Sequence, residues 1–260
     1  MKRWPYTILI SFVLISCTVI GYVVYHYYAS PAEQQSYPIP IHHDDTLRIA
    51  YIGDSWAAIH KDHHCIIPQM LSDSIHRPVK LSSFGLHGKT SKEIYESLFT
   101  HQQIHDFMMQ GYDYCFISAG INDTYKKMRT IYYQTSMDYI IRFMLANKIQ
   151  PIILEIPDYD IFLSYERQKS SRKIARRISS LLTGTSMDCK QEFRNTLMTL
   201  INERHYQGSI ILLPYKAWNY HYSTDLKLYY QSDGMHLNQN GYLRLDSCIT
   251  SYILKDMRHS

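Results

Sequence analysis

The chain has 260 residues, 45% of them hydrophobic, which suffices for one sizeable α/β core and leaves too little length for two. Its net charge of +4 is spread thinly, and no arginine-rich stripe with interleaved aromatics accompanies it, so nucleic acid is not indicated as a partner. Five cysteines, an odd number without a Cys-x-x-Cys pair, supply neither a disulfide framework nor a zinc site.

From the amino terminus, Lys2 and Arg3 precede an uncharged, mostly apolar run over residues 6–28. A helix of that length spans a bilayer. No basic residue follows until Arg48, so the positive-inside rule predicts a cytoplasmic amino terminus and a domain outside, in the periplasm or at the cell surface. A cleaved signal peptide would have a shorter apolar core. Leu14-Ile15-Ser16-Cys17 resembles a lipobox, but the residues after Cys17 are apolar where a lipoprotein has a polar tether. An uncleaved anchor fits best, and every alternative exports the domain. The chain therefore divides into an anchor or signal segment at 1–28, a polar, proline-bearing linker at 29–45 and a folded domain at 46–260.

Beyond residue 45, short apolar runs alternate with segments of helical period. Strands are predicted at 47–52, 79–84, 112–118, 151–156 and 209–213, and helices at 65–75, 91–109, 132–145 and 239–254. Short apolar strands separated by helices imply a three-layer α/β/α sandwich around a mainly parallel five-stranded sheet, flavodoxin-like in outline. Between the fourth and fifth strands, two further helices are predicted at 165–182 and 188–205. The first carries Arg167, Lys169, Arg172, Lys173, Arg176 and Arg177, with Ile174, Ile178 and Leu181 sharing one face. Its basic side reads as a solvated outer surface or as a contact for anionic headgroups or an acidic glycan.

In open parallel sheets, reacting groups gather at the carboxyl ends of the strands. The first strand runs into Gly53-Asp54-Ser55-Trp56, the second towards Gly88-Lys89-Thr90-Ser91, and the third into Gly120-Ile121-Asn122-Asp123; Asp233-Gly234-Met235-His236 precedes the last helix. A serine at a strand-to-helix turn exposes its hydroxyl and leaves its N–H without a helical partner. It needs a base, which His236 can be, with Asp233 fixing the imidazole tautomer. The Ser55 and Gly88 N–H groups and the Asn122 amide are candidate donors to a developing oxyanion. Asp54 reads as a helix cap and Asp123 as a loop anchor.

These four clusters, in this order, resemble the four blocks of the GDSL/SGNH hydrolases, from about Leu47 to Leu254. The resemblance implies Ser55 as nucleophile, Asp233 and His236 as its triad partners, and Ser55, Gly88 and Asn122 as the oxyanion hole. It further implies acyl-ester hydrolysis without cofactor or metal. Trp56 stands where leucine is usual and Leu237 where proline is frequent. With export and 24 tyrosines, the expected substrate is an O-acylated, chiefly O-acetylated, surface or cell-wall glycan. Acyl transfer to a sugar hydroxyl would use the same triad. If Trp56 crowded the nucleophile, the chain would instead be a silent, membrane-tethered glycan-binding protein.

His60, Asp62, His63, His64 and Cys65 are ligand-type residues, and helical spacing would pair His60 with His64. A bare pair does not make a metal site.

Overall fold

The computed structural model describes residues 4–25, 29–219 and 221–258. Lys2 and Arg3, on which the predicted orientation depends, lie outside them. Helix α1 (Trp4–Val23) is followed by β1 (Leu47–Gly53), α2 (Ser55–His60), α3 (Ile67–Ile75), β2 (Val79–Gly85), α4 (Ser91–Thr100), α5 (Gln102–Met108) and β3 (Tyr114–Ser118). Then come α6 (Ile121–Lys126), α7 (Thr130–Ala146), β4 (Gln150–Leu154), α8 (Ile161–Glu166), α9 (Ser170–Thr183) and α10 (Lys190–Glu203). Strand β5 (Ile211–Leu213), α11 (Tyr222–Tyr229) and α12 (Gln239–Met257) close the chain.

All five strands pair in parallel, in the order β2-β1-β3-β4-β5. Side chains alternate across a strand, so β1 directs Ile49 and Tyr51 to one face and Ala50 and Ile52 to the other. The first face packs against Trp56, Ile67, Leu71, Leu245 and Ile249 of α2, α3 and α12. The second packs against Ile94, Leu98, Ile140, Phe193 and Leu197 of α4, α7 and α10. The predicted three-layer architecture is thus observed.

Two predicted helices are broken. Continuing the Ile94 and Leu98 face would bring His101, Gln102 and His105 inward. The chain instead turns extended at His101, and α5 buries Ile104, Phe107 and Met108. The stretch 165–182 also divides, into α8 and α9. More unexpected is how α9 faces: Ile178 is 51% and Leu181 84% exposed, while Arg176 is only 5% exposed. The amphipathic pattern predicted the reverse.

The polar stretch 29–45 has no helix or strand but packs along the domain. Lys92 Nζ donates to the carbonyls of Tyr25 (3.1 Å) and Ala29 (3.0 Å) beside the start of α4. Further along, Gln34 N donates to the Tyr95 hydroxyl and Ile39 N to Asn147 Oδ1, each at 2.8 Å. This strap runs from the carboxyl ends of the strands to their amino ends, where β1 begins. Helix α1 is long and apolar enough to cross a membrane, and its 6–23 window is wholly unburied.

Candidate active site

The strand order places the loop after β1 between the loops after β2 and β3, because the chain leaves β1 first to one side and later returns to the other. Ser55, Gly88 and Asn122 therefore converge although their loops are far apart in sequence. Asp54 caps α2, its Oδ1 accepting from Trp56 N at 3.0 Å. Gly53 is required by close approach, since a Cβ there would lie 2.2 Å from the Ser118 carbonyl oxygen. Ser55 is the first residue of α2, and its N–H has no hydrogen-bond partner among the described residues.

The last cluster approaches from the other side of the crevice. His236 Nε2 lies 2.9 Å from Ser55 Oγ, and His236 Nδ1 lies 2.6 Å from Asp233 Oδ2. Asp233 Oδ1 accepts from the backbone N–H groups of Met235 (2.9 Å) and His236 (3.0 Å). Burial alone would raise this carboxyl, but the His236 ring and those two N–H groups outweigh it and hold Asp233 at about 2. It is thus an anion at neutral pH, poised to accept from Nδ1 and leave Nε2 as acceptor for the serine proton. Leu237, the departure from the frequent proline, is fully buried and bridges to Tyr230, which steadies the turn.

Gly88 adopts φ +70°, a left-handed value that favours glycine, with open space where a Cβ would project. Gly85, at the end of β2, serves packing: a Cβ there would lie 1.9 Å from Ala58 N in α2. Asn122 Nδ2 donates to the Lys89 carbonyl at 3.1 Å and more weakly to Asp54 Oδ2 at 3.4 Å. The amide is held beside the Gly88 loop, and redirecting its weaker bond would free a donor for a substrate oxyanion. Asp123 is buried and accepts from Ser91 N (2.8 Å) and Ser91 Oγ (2.6 Å), anchoring this loop to α4 as expected. Burial pushes Asp123 up to about 6 and Asp54 up to about 7.

Trp56 does not crowd Ser55. It is fully buried beneath the turn, edge-on to Trp218 with ring centroids 5.6 Å apart. His60 and His64 do not share a helical face, because α2 ends at His60. His60 instead meets Asp246 at 2.8 Å, with Cys65 beside them and their ligand-type atoms within 4.8 Å of one another. Burial, reinforced by Asp246, pushes the Cys65 thiol up to about 12.

A cavity of about 380 Å³ extends from Gly88 and Asn122 under α9. Tyr125, Gln168, Arg172 and Arg176 help to line it. Sequence reasoning noticed the basic helix but assigned Arg176 to an outer face. A hollow of about 500 Å³ under the strap, bordered by Glu33, Tyr95 and Arg142, contains none of the four clusters.

No protein-family model and no curated protein sequence matches the chain. Solved structures do resemble it. The lipase/acylhydrolase from Enterococcus faecalis superposes with TM-score 0.55 at 19% identity, covering 82% of this chain and 96% of that one. A GDSL-like lipase from Bacteroides thetaiotaomicron gives 0.51 at 15% identity, covering 80% and 88%. An acetyl xylan esterase gives 0.54 at 13% identity, covering 80% and 100%. The resemblance first drawn from four short motifs thus extends to the whole domain, and the chain has the α/β/α fold of the GDSL/SGNH lipases, acylhydrolases and esterases.

Proposed function

We propose that the chain is a membrane-anchored, extracytoplasmic serine esterase that removes acyl groups, chiefly acetyl, from a surface or cell-wall glycan. The observation that carries the esterase reading is the continuous hydrogen-bonded series from Ser55 through His236 to Asp233. His236 Nε2 takes the Ser55 proton as Oγ bonds to the ester carbonyl carbon, and the carbonyl electron pair moves to oxygen. Ser55 N–H, Gly88 N–H and the Asn122 amide stabilise that oxyanion. Its collapse breaks the bond to the alkoxy oxygen, and the proton on His236 passes to the departing alcohol. Water then repeats the sequence on the acyl-serine, releasing the carboxylic acid and restoring Ser55. Every step is a proton transfer or an acyl transfer, so neither a cofactor nor a metal is needed.

The acetylated-glycan substrate is supported by the likeness to an acetyl xylan esterase fold and by the tyrosines Tyr125 and Tyr165 near the crevice. The membrane reading is supported by α1, and the strap bears on where the site works. Lys92 fastens the end of the anchor beside the start of α4, next to the Gly88 loop, so the crevice operates close to the bilayer.

The test is hydrolysis of 4-nitrophenyl acetate by the full-length chain in detergent, compared with Ser55→Ala. Turnover that vanishes in the variant, with fluorophosphonate labelling of the unmodified protein alone, is expected. Equal rates from two folded proteins would remove Ser55 as the nucleophile. Protease digestion of intact spheroplasts should remove the domain if it lies outside.

A further inference from the structure

Buried donors normally have acceptors, and exceptions call for an explanation. Here two residues that line one cavity carry such atoms. All three guanidinium nitrogens of Arg176, and both polar atoms of the Gln168 side chain, are closed off from solvent without a hydrogen-bond partner. Both residues line the cavity that begins at Gly88 and Asn122. Arg176 is held by ring faces alone, 4.2 Å from the Tyr125 centroid and 5.2 Å from that of Tyr165. The neighbouring carboxylates are engaged elsewhere. Glu93 binds the Thr90 N–H, Lys89 and Lys126; Asp123 binds Ser91; and Asp188 pairs with Lys190.

The facing of α9 sharpens the anomaly. Turning the helix would bury Ile174, Ile178 and Leu181 and release Arg176 to water, which both apolar transfer and charge solvation favour. The chain adopts the opposite arrangement. The cavity also carries Lys126 and Arg172, and Lys127 lies fully buried nearby, so positive charge is in local excess. Burial lowers both Arg176 and Lys127, the latter to about 8, and the Arg176 charge further depresses Lys127. An incoming anion would offset the cost of burying these cations.

We propose that Arg176, supported by Gln168 and Arg172, forms a subsite for an anionic group, a carboxylate or phosphate, carried by the ester that Ser55 attacks. The position of the cavity beside Gly88 and Asn122 places this group on the same molecule as the scissile bond. An Arg guanidinium suits the planar or tetrahedral oxyanion because its N–H groups form a fixed fork. The substrate class narrows accordingly, to acyl esters of acidic glycans such as uronate- or phosphate-bearing chains. The word ester rests on the serine-esterase reading above; the anion site does not.

The experiment measures binding without turnover. Full-length Ser55→Ala protein in detergent is titrated calorimetrically with 4-acetoxybenzoate, 4-acetoxyphenyl phosphate and neutral methyl 4-acetoxybenzoate. At least tenfold tighter binding of an anionic ester is expected. The stronger of the two anions identifies carboxylate or phosphate as the natural charge. Adding Arg176→Gln should bring anionic and neutral esters to parity, and Arg176→Lys should keep part of the preference; if Arg176→Gln does not fold, at least a threefold loss in Arg176→Lys replaces it. Equal affinity for all three esters, or a preference untouched by folded Arg176 variants, overturns the proposal and leaves Arg176 as a cation–π peg for α9. Loss of esterase activity is read on neutral 4-nitrophenyl acetate, so the two proposals fail separately.

Discussion

His236 Nε2 lies 2.9 Å from Ser55 Oγ although 181 positions separate the two residues, and Asp233 holds the far side of the same ring. The pairing joins the turn after the first strand to the turn before the last helix. Replacing Asp233 with Asn would keep the shape and put a donor amide or a weaker acceptor against Nδ1. kcat for 4-nitrophenyl acetate should fall by roughly 10³- to 10⁴-fold, with thermal stability little changed. A fall of less than tenfold would detach Asp233 from the relay.

Asn122 is the side-chain donor of the proposed oxyanion hole. Asn122→Ala should lower kcat by about 10²- to 10³-fold while KM changes little, because the developing charge exists only in the transition state. Steady-state kinetics at pH 7.5 separate the two parameters. A change confined to KM would assign Asn122 to ground-state binding.

Two glycines of one loop should respond differently to alanine. Gly85→Ala drives a methyl group into the Ala58 backbone and should destabilise the fold by about 3 kcal/mol or more, visible as a lowered melting temperature and poor yield. Gly88→Ala meets open space but a left-handed φ, and should cost about 1 kcal/mol while impairing turnover. Similar stabilities for the two variants would contradict the packing role given to Gly85.

Asp123 supplies a pH signature. Its folded-state value of about 6 exceeds the ordinary 3.8, chiefly through burial, so between those values the native state binds more protons than the unfolded chain. This contribution to stability is fully present below the ordinary value and is lost as pH rises through about 6. Asn can accept from Ser91 N while its amide donates to Ser91 Oγ. Asp123→Asn should therefore flatten the fall in the unfolding free energy from urea denaturation between pH 4 and 7, by about 1 kcal/mol per pH unit at the steepest point. An unaltered profile would mean that the carboxyl is not held protonated.

The packed strap predicts that a protein beginning at Ala29 outlasts one beginning at Thr46. The shorter protein loses the buried Ile39 side chain and the hydrogen bonds to Tyr95 and Asn147, and should be less stable by about 2 kcal/mol or more. Urea denaturation of both measures the difference. Equal midpoints would return the segment to the role of a passive linker.

The fold was legible because its signals are local. Short apolar runs mark the strands, helical period marks most of the helices, and the cap at Asp54 marks where α2 starts. Each depends on residues a few positions apart. The four polar clusters were legible for the same reason, since each is a strand-end or helix-start turn. Breaks such as the one at His101 were not, because a helix yields to the layer it packs on, and only the layer determines which face must turn inward.

By itself, then, the sequence determined five apolar strands, the apolar amino-terminal segment and the four clusters of reacting residue types. Tertiary structure decided which residues those clusters meet: that Trp56 lies beneath the turn, that His60 joins Asp246 and not His64, and that Arg176 faces a cavity while Leu181 faces solvent. Helical periodicity groups residues on one face but carries no information on where that face points. The direction is set by the summed contacts of distant segments, and at α9 the tyrosine rings of Tyr125 and Tyr165 hold the arginine inward against the helix's own apolar pattern.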